Sequence, residues 1–284
     1  MYTGTDIIWT SMAAGQRVFA ETLVTRDALN GANCAEIADV FALMAEELSS
    51  NTLGTCAGEL RALQDGSPHE GKGKRKVAEF AILVKTSPNE GRFKEAAAHL
   101  DALRRMGALQ FATIEVVQGR PQVGLQDPKG DVPLRELVNL GKKSSVAAKL
   151  VFQIAVKAPK KFSGEFIPDI VEIGCTFEDG VFVLHKLASK RSDLAKRAIL
   201  GLITLTSMED QETHKLAQWA LHNLAQRRSD LFEKEHVDEM RKLNKICDGF
   251  DKTLETLEKN KSELFVKWYQ RLFSFLFFWK TRQV

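Results

Sequence analysis

The stretch Val171–Leu187 reads VEIGCTFEDGVFVLHKL, and how it is read decides the fold class. Two runs rich in β-branched and aromatic residues, Val171–Phe177 and Val181–Leu187, flank Glu178-Asp179-Gly180. An Asp-Gly pair between such runs predicts a β-hairpin. Working outward, Leu109–Val117 and Pro121–Leu125 flank Gln118-Gly119-Arg120 as a second hairpin, and Val77–Thr86 (VAEFAILVKT) reads as a buried strand. Val146–Val156 fits a strand, although its start fits a helix equally well. Ser87-Pro88-Asn89-Glu90 opens a helix that runs to Met106 and stops at Gly107, with Phe93, Ala96, Ala97, Leu100 and Leu103 inward. A short helix follows near Leu134–Leu140. The middle of the chain is therefore expected to hold about five or six mostly antiparallel strands.

Both flanks read as helices. Ile7, Ile8, Met12, Val18 and Phe19, then Ile37, Val40, Phe41, Met44 and Leu48, recur at helical spacing, with Asn30-Gly31 between the runs. Residues 66–73 (GSPHEGKG) form a Gly- and Pro-rich loop. Beyond Ser192 the strand signals stop. Asp193–Leu205 predicts a helix, and Ser207-Met208-Glu209-Asp210 looks like the capped start of another, lined by Leu216, Ala217, Ala220, Leu221 and Leu224. The segment Lys215–Ala225 (KLAQWALHNLA) resembles an armadillo-repeat helix, but it is seen once, and such architectures need several copies to bury a core, so a repeat fold is not expected.

Further on, Met240, Leu243, Cys247, Phe250, Leu254, Leu257, Lys261, Leu264 and Trp268 follow three-four steps, with Glu255–Lys259 and Glu263–Lys267 pairs outside. That spacing predicts one long final helix, with self-association through Met240, Leu243, Cys247, Phe250, Leu254 and Leu257. Gly249 inside the run and Lys261 at a core position count against a coiled coil. The resulting expectation is an α+β chain in four parts. These are a helical region (residues 1–70), a sheet domain (71–190), a helical bundle with a long helix (191–263) and an amphipathic C-terminal segment (264–284).

Composition narrows the function classes. The chain has 284 residues, 44% apolar and 27% charged, which is ordinary for a globular protein and excludes a disordered chain or a polytopic membrane protein. A net charge of +3 gives a weak overall field, so any polyanion contact must come from local patches. Cys34, Cys56, Cys175 and Cys247 stand apart from one another and form no metal or redox motif, so reduced thiols in a cytoplasmic setting are expected. The N-terminal residues lack a signal-peptide pattern, Tyr2 excludes myristoylation, and no stretch reaches eighteen uninterrupted apolar residues.

The most specific functional signal lies at the end. Leu264–Trp279 reads LFVKWYQRLFSFLFFW, and on a helix Lys267, Gln270, Arg271 and Ser274 make one narrow polar stripe. Phe265, Trp268, Tyr269, Leu272, Phe273, Phe275, Leu276 and Trp279 occupy most of the remainder, and Lys280 and Arg282 follow. Such a helix is roughly 24 Å long, short of the roughly 30 Å bilayer core. Lys267 or Arg271 near the bilayer centre would cost about 2.5–3.5 kcal/mol each, a cost avoided by lying in the interface. Membrane-surface attachment is expected to use Phe265, Lys267, Trp268, Tyr269, Arg271, Leu272, Phe273, Phe275, Leu276, Trp279, Lys280 and Arg282. An apolar groove on a partner is the other destination for such a segment.

Other motifs are weaker. Gly66–Lys72 matches the start of a phosphate-binding loop, but Gly73 stands where Ser or Thr must hold Mg²⁺. Lys72, Lys74, Arg75 and Lys76, and Lys157 with Lys160 and Lys161, are candidate polyanion contacts, with Phe162 placed to stack a base. The histidines are scattered, and no nucleophile elbow or paired-carboxylate arrangement is present, so no catalytic residue, metal or cofactor is assigned. The expected function is a non-enzymatic, membrane-associated, self-assembling interaction protein on a cytoplasmic membrane face. An RNA-binding coat or scaffold protein and a pore-forming or membrane-remodelling protein are the alternatives.

Overall fold

The computed structural model describes residues 31–62, 90–117, 120–125, 133–208, 210–246 and 249–265, and it divides into two compact units, Met1–Ala158 and Pro159–Val284. The described part of the first unit contains α1 (Gly31–Glu47), α2 (Asn51–Ala62), α3 (Glu90–Arg105), strands β1 (Ala112–Val117) and β2 (Arg120–Leu125), α4 (Leu134–Gly141) and α5 (Ser145–Lys157). The second contains α6 (Ile167–Gly174), α7 (Glu178–Lys190), α8 (Ser192–Leu205), α9 (Gln211–Arg227), α10 (Lys234–Leu243) and α11 (Asp251–Asn260).

The expected α+β fold with a sheet of about five or six strands is overturned. The strands β1 and β2 pair antiparallel from Ala112↔Leu125 to Val117↔Arg120, and no other strand occurs among the described residues. Val146–Val156 lies in α5, whose N-cap Ser144 accepts a hydrogen bond from the Ala147 amide at 3.1 Å. Val77–Thr86 lies outside the described residues.

The largest correction falls on Val171–Leu187, which folds as α6, a short connection and α7. The buried positions Gly180, Val181, Leu184, Leu187 and Ala188 repeat at helical spacing, and Val183 widens that face. A helix packed on several sides reads much like a buried strand, because burial removes the polar residues that would mark its period. Glu178 and Asp179 complement the helix dipole in the first turn of α7, and Lys190 does so in the last. Gly180 serves close approach rather than a turn. A Cβ built on it would lie 2.2 Å from the Gly174 amide nitrogen and 2.6 Å from the Gly174 Cα, so α6 and α7 meet backbone to backbone.

The second unit is a stack of helices in two layers. In one layer α9 packs against α7 and α11, and in the other α8 packs against α6 and α10. The layers meet where α7 contacts α6 and α8, and where α9 contacts α8. Such stacking buries a continuous core from short elements that cannot bury one alone. That core includes Ile170, Leu184, Leu187, Leu202, Leu221, Leu224, Phe232, Met240 and Leu257. Burying each large side chain stabilises by about 1.5–3 kcal/mol.

The stack rests on a repeated turn. Residues 184–194 read LHKLASKRSDL, residues 221–231 LHNLAQRRSDL and residues 254–264 LETLEKNKSEL, offset by 37 and then 33 residues. Arg228 leaves its helix at φ −143°, ψ 48° and Lys261 at φ −148°, ψ 58°, and each is followed by a single 3₁₀ turn. Their side chains reach back one turn along the stack. Arg191 Nη1 donates to the carbonyls of Pro159 (2.9 Å) and Phe162 (3.1 Å), and Arg228 Nη1 donates to Ser189 (2.9 Å). Lys261 Nζ donates to Asp230 (3.2 Å) and Phe232 (2.8 Å). Asp193 and Asp230 hold the two guanidiniums in place, at 2.6 Å and 3.0 Å, and those hydrogen bonds keep both carboxyls below the ordinary carboxylate range. Carbonyls at helix ends that packing would orphan are thereby satisfied.

The predicted long final helix is likewise broken. α10 ends at Leu243, where Asn244 Oδ1 accepts from the Phe250 amide (3.0 Å) and Asn244 Nδ2 donates to Asp251 (2.7 Å). Gly249 takes φ +149°, which no helix accommodates. The three-four spacing spans two helices with a turn between them. α9 starts three residues later than expected, with Asp210 as N-cap accepting from the Thr213 amide at 2.8 Å.

Candidate functional site

The outer row of α7, α9 and α11 carries the most distinctive exposed residue of the second unit. Trp219 on α9 is 49% exposed, yet its ring is held by neighbours. Phe182 on α7 meets it edge-to-face with centroids 6.4 Å apart, and His185 lies tilted at 5.5 Å. His185 Nε2 bonds Asn223 Oδ1 at 3.2 Å, which sets the imidazole proton on Nε2. Burial pushes the His185 pKa down, and Lys186 and Arg227 push the same way while the Asn223 bond opposes them, so the ring is neutral at pH 7. An indole fixed in orientation and half open to solvent can meet a partner with little loss of side-chain entropy.

The repeated turn places equivalent residues side by side. Phe182, Trp219 and Lys252 share one row position, and Lys186, Asn223 and Thr256 share the next. Charge along the three helices balances: Lys186, Lys190, Lys215, Arg227, Lys252 and Lys259 stand against Glu178, Asp179, Glu212, Asp251, Glu255 and Glu258, and all are exposed or half-buried. Sequence reading noted Lys215–Ala225 but missed this face, because only neighbouring copies of the turn give Trp219 its partners.

On the other layer an open groove of about 410 Å³ lies between α8 and α10, with Leu200, Ile203 and Leu243 as its apolar part and Glu235 and Glu239 as its acidic part. Both carboxylates already have cations: Lys196 bonds Glu235 at 2.6 Å and Lys242 bonds Glu239 at 3.4 Å. The groove therefore presents little uncompensated charge for a ligand.

The first unit contains a buried carboxylate that sequence reading did not single out. Glu47, at the end of α1, has a side chain 2% exposed. Its Oε1 meets His99 Nδ1 at 2.8 Å, and its Oε2 accepts from Ser144 Oγ (3.0 Å), Ser145 Oγ (3.2 Å) and the Val146 amide (3.0 Å). A carboxylate, an imidazole and two hydroxyls are the residue types of an acyl-transfer site, but both serines donate to Glu47. A nucleophilic serine must instead donate to the imidazole. The cluster caps α5 and ties it to α1 and α3, which is a structural role. No group of three or more His, Cys, Asp or Glu able to hold a metal ion occurs among the described residues.

The residues singled out from the sequence distribute as follows. Lys157, Lys160 and Lys161 are exposed, at the end of α5 and in the following turn. Phe162 is 1% exposed and packs edge-to-face on Phe166, so it cannot stack a base. Met240, Phe250 and Leu257 are buried within the second unit and Leu243 and Leu254 are half-buried, so the heptad positions belong to its own packing. Phe265 is half-buried with the Arg241 guanidinium 4.7 Å from its ring centre. Lys72, Lys74, Arg75, Lys76, Cys247, Lys267, Trp268, Tyr269, Arg271, Leu272, Phe273, Phe275, Leu276, Trp279, Lys280 and Arg282 lie outside the described residues. No helix among the described residues is long and apolar enough to cross a membrane. In comparisons with known proteins the chain matches no family model, no curated protein and no solved structure, so a functional reading has to start from its own chemistry.

Proposed function

We propose that this chain is a non-enzymatic interaction scaffold, in which the stacked helices of the second unit hold a partner and the C-terminal sequence attaches the assembly to a membrane surface. The observation that carries the scaffold reading is Trp219, half exposed on a row of repeated helices and oriented by Phe182 and His185. Attachment is supported by the residue pattern of Leu264–Trp279, with its basic stripe, its abundance of Phe and Trp, and the following Lys280 and Arg282. Self-association through the heptad positions loses its support, because Met240, Phe250 and Leu257 face the core of their own chain.

A sequence observation favours a second role for the same tail. Phe162, Phe166, Ile170 and Ile173 follow one turn, and Phe232, His236, Met240 and Leu243 follow another. After the third copy the same intervals give Phe265, Tyr269, Phe273 and Leu276. On this reading the aromatic residues extend the stack and leave no anchor.

Flotation with anionic and neutral vesicles separates the two roles, using the full chain and a truncation after Phe265. The anchor predicts flotation of the full chain on anionic vesicles, none of the truncated chain, and equal melting temperatures. If the full chain stays at the bottom of the gradient and the truncation melts lower, attachment is refuted and the tail belongs to the stack.

A further inference from the structure

We infer that the C-terminal sequence is a latch: in water Phe265–Leu276 docks on α10 and α11 as the next helix of the α6–α8–α10 layer, and an anionic membrane draws it off. The inference rests on the membrane attachment proposed above, and it names where the tail sits when no membrane is present.

The register of the repeat carries it. Residues 161–173 read KFSGEFIPDIVEI, residues 231–243 LFEKEHVDEMRKL and residues 264–276 LFVKWYQRLFSFL. Each segment follows, at the same interval, a turn residue of one backbone form: Ala158 at φ −136°, ψ 58°, Arg228 at φ −143°, ψ 48° and Lys261 at φ −148°, ψ 58°. Phe162 and Phe232, Phe166 and His236, and Ile170 and Met240 are pairwise equivalent in the first two segments, and all are buried. The third segment puts Phe265, Tyr269 and Phe273 at those positions. Phe265 is already half-buried, with the Arg241 guanidinium of α10 4.7 Å from its ring centre, so the tail starts out against α10.

A second set of positions agrees. Glu235 and Glu239 of α10 line the open groove of about 410 Å³ opposite Leu200, Ile203 and Thr204 of α8. Trp268 and Leu272 occupy the same places one copy later, so against α10 an indole and a leucine would fill what two carboxylates leave open. The last copy of a stack has a neighbour on one side only, and whatever covers it sets its stability. Gln270 is the exception, because it stands where Ile167 and Val237 are buried, and burying its amide opposes docking. That mismatch keeps the contact reversible. Lys234 and Asp238 are exposed, so at their positions Lys267 and Arg271 stay in water when the tail is docked. On an anionic surface the same two cations meet phosphates, with Lys280 and Arg282 behind them, while the aromatic side chains remain out of water. A ligand shifts such an equilibrium only by what it binds better in one state, and here that difference lies in the cations.

The test follows amide hydrogen exchange in α10 and α11 by mass spectrometry, using the full chain and a truncation after Phe265. Each is measured alone, with phosphatidylcholine vesicles, and with vesicles that also contain phosphatidylserine. The latch predicts exchange at least about tenfold faster in the truncation than in the full chain. Anionic vesicles that float the full chain should raise its exchange to the same rate, and neutral vesicles should leave it slow. Tyr269→Lys with Phe273→Lys should also speed exchange in solution, and this variant covers the case in which the truncation does not fold. Flotation with α10 and α11 exchange unchanged by the vesicles overturns the latch and leaves the anchor standing. Equal exchange in the full chain, the truncation and the double variant means that nothing docks there, and overturns the latch as well. Slow exchange in the full chain without flotation overturns the anchor and the latch together, and leaves the tail as a fixed part of the stack.

Discussion

Replacing Gly180 by Ala tests the interpretation on which the second unit depends. An added Cβ would stand 2.2 Å from the Gly174 nitrogen, 2.6 Å from its Cα and 2.8 Å from the Ile173 carbonyl carbon, where ordinary contact begins near 3.4 Å. All three obstacles are backbone, so no rotamer change relieves them. The first turn of α7 would have to move away from α6 by about 1 Å. Small-to-large changes in packed interiors cost about 1–3 kcal/mol when side chains can give way, and the cost here should reach or exceed the top of that range. Gly201→Ala is the internal comparison, because its Cβ would meet only Val171 and Leu184 methyls, at 2.8 Å and 3.3 Å. Urea unfolding followed by circular dichroism should show Gly180→Ala losing about 3 kcal/mol or more, with a melting temperature lower by on the order of 10 °C. Gly201→Ala should lose clearly less. An interior helical Gly→Ala change with room to spare stabilises by about 0.5–1 kcal/mol, so the sign of the effect is diagnostic. If Gly180→Ala is as stable as the parent chain or more so, α6 and α7 do not meet in this way.

Further outcomes follow from the same contacts. His236 is fully buried, with Nδ1 accepting from the Glu233 amide at 2.8 Å and Nε2 donating to the Lys196 carbonyl at 3.0 Å, and burial pushes its pKa down. A histidine whose folded pKa lies below its unfolded value binds fewer protons when folded, so stability should fall as pH drops below about 6.5, by up to about 1.4 kcal/mol per pH unit. His185 adds to this in the same direction. His236→Phe, which places there the residue type found at Phe166 two copies earlier, should flatten that pH dependence in urea titrations while costing about 1–2 kcal/mol at neutral pH, because the Glu233 amide loses its acceptor. Glu47→Gln should destabilise the first unit by about 2–3 kcal/mol in thermal unfolding, since an amide cannot accept from all its present donors. Arg228→Ala should cost about 1–2 kcal/mol by orphaning the Ser189 carbonyl, and Arg228→Lys should recover part of it, as Lys261 does in the third copy.

Much of the helical content was legible from local signals. The helix ending at Arg105, with Gly107 at φ +70° behind it, and the helices α4 and α8 lie within a residue or a few of the expected places. Their capping residues and apolar periods act within one or two turns, and such short-range terms survive in any tertiary context. The strands β1 and β2 occupy the segments around Gly119 for the same reason, since turn chemistry is local.

What the tertiary structure decided was everything that depended on burial from more than one side. VFVL at 181–184 carries a β-type composition, but α6, α8 and α9 surround it, and a helix buried so widely shows no clean polar stripe. Gly180 looked like a turn residue because nothing nearby in sequence reveals that Gly174 presses against it. The three-four spacing through Met240 and Leu257 looked continuous because periodicity says nothing of Gly249 turning the chain between two helices. The Trp219 face was least legible of all. Its ring neighbours Phe182 and His185 come from the helix 37 residues earlier, and only stacking, driven by burial and fastened by Arg191, Arg228 and Lys261, brings them to one surface.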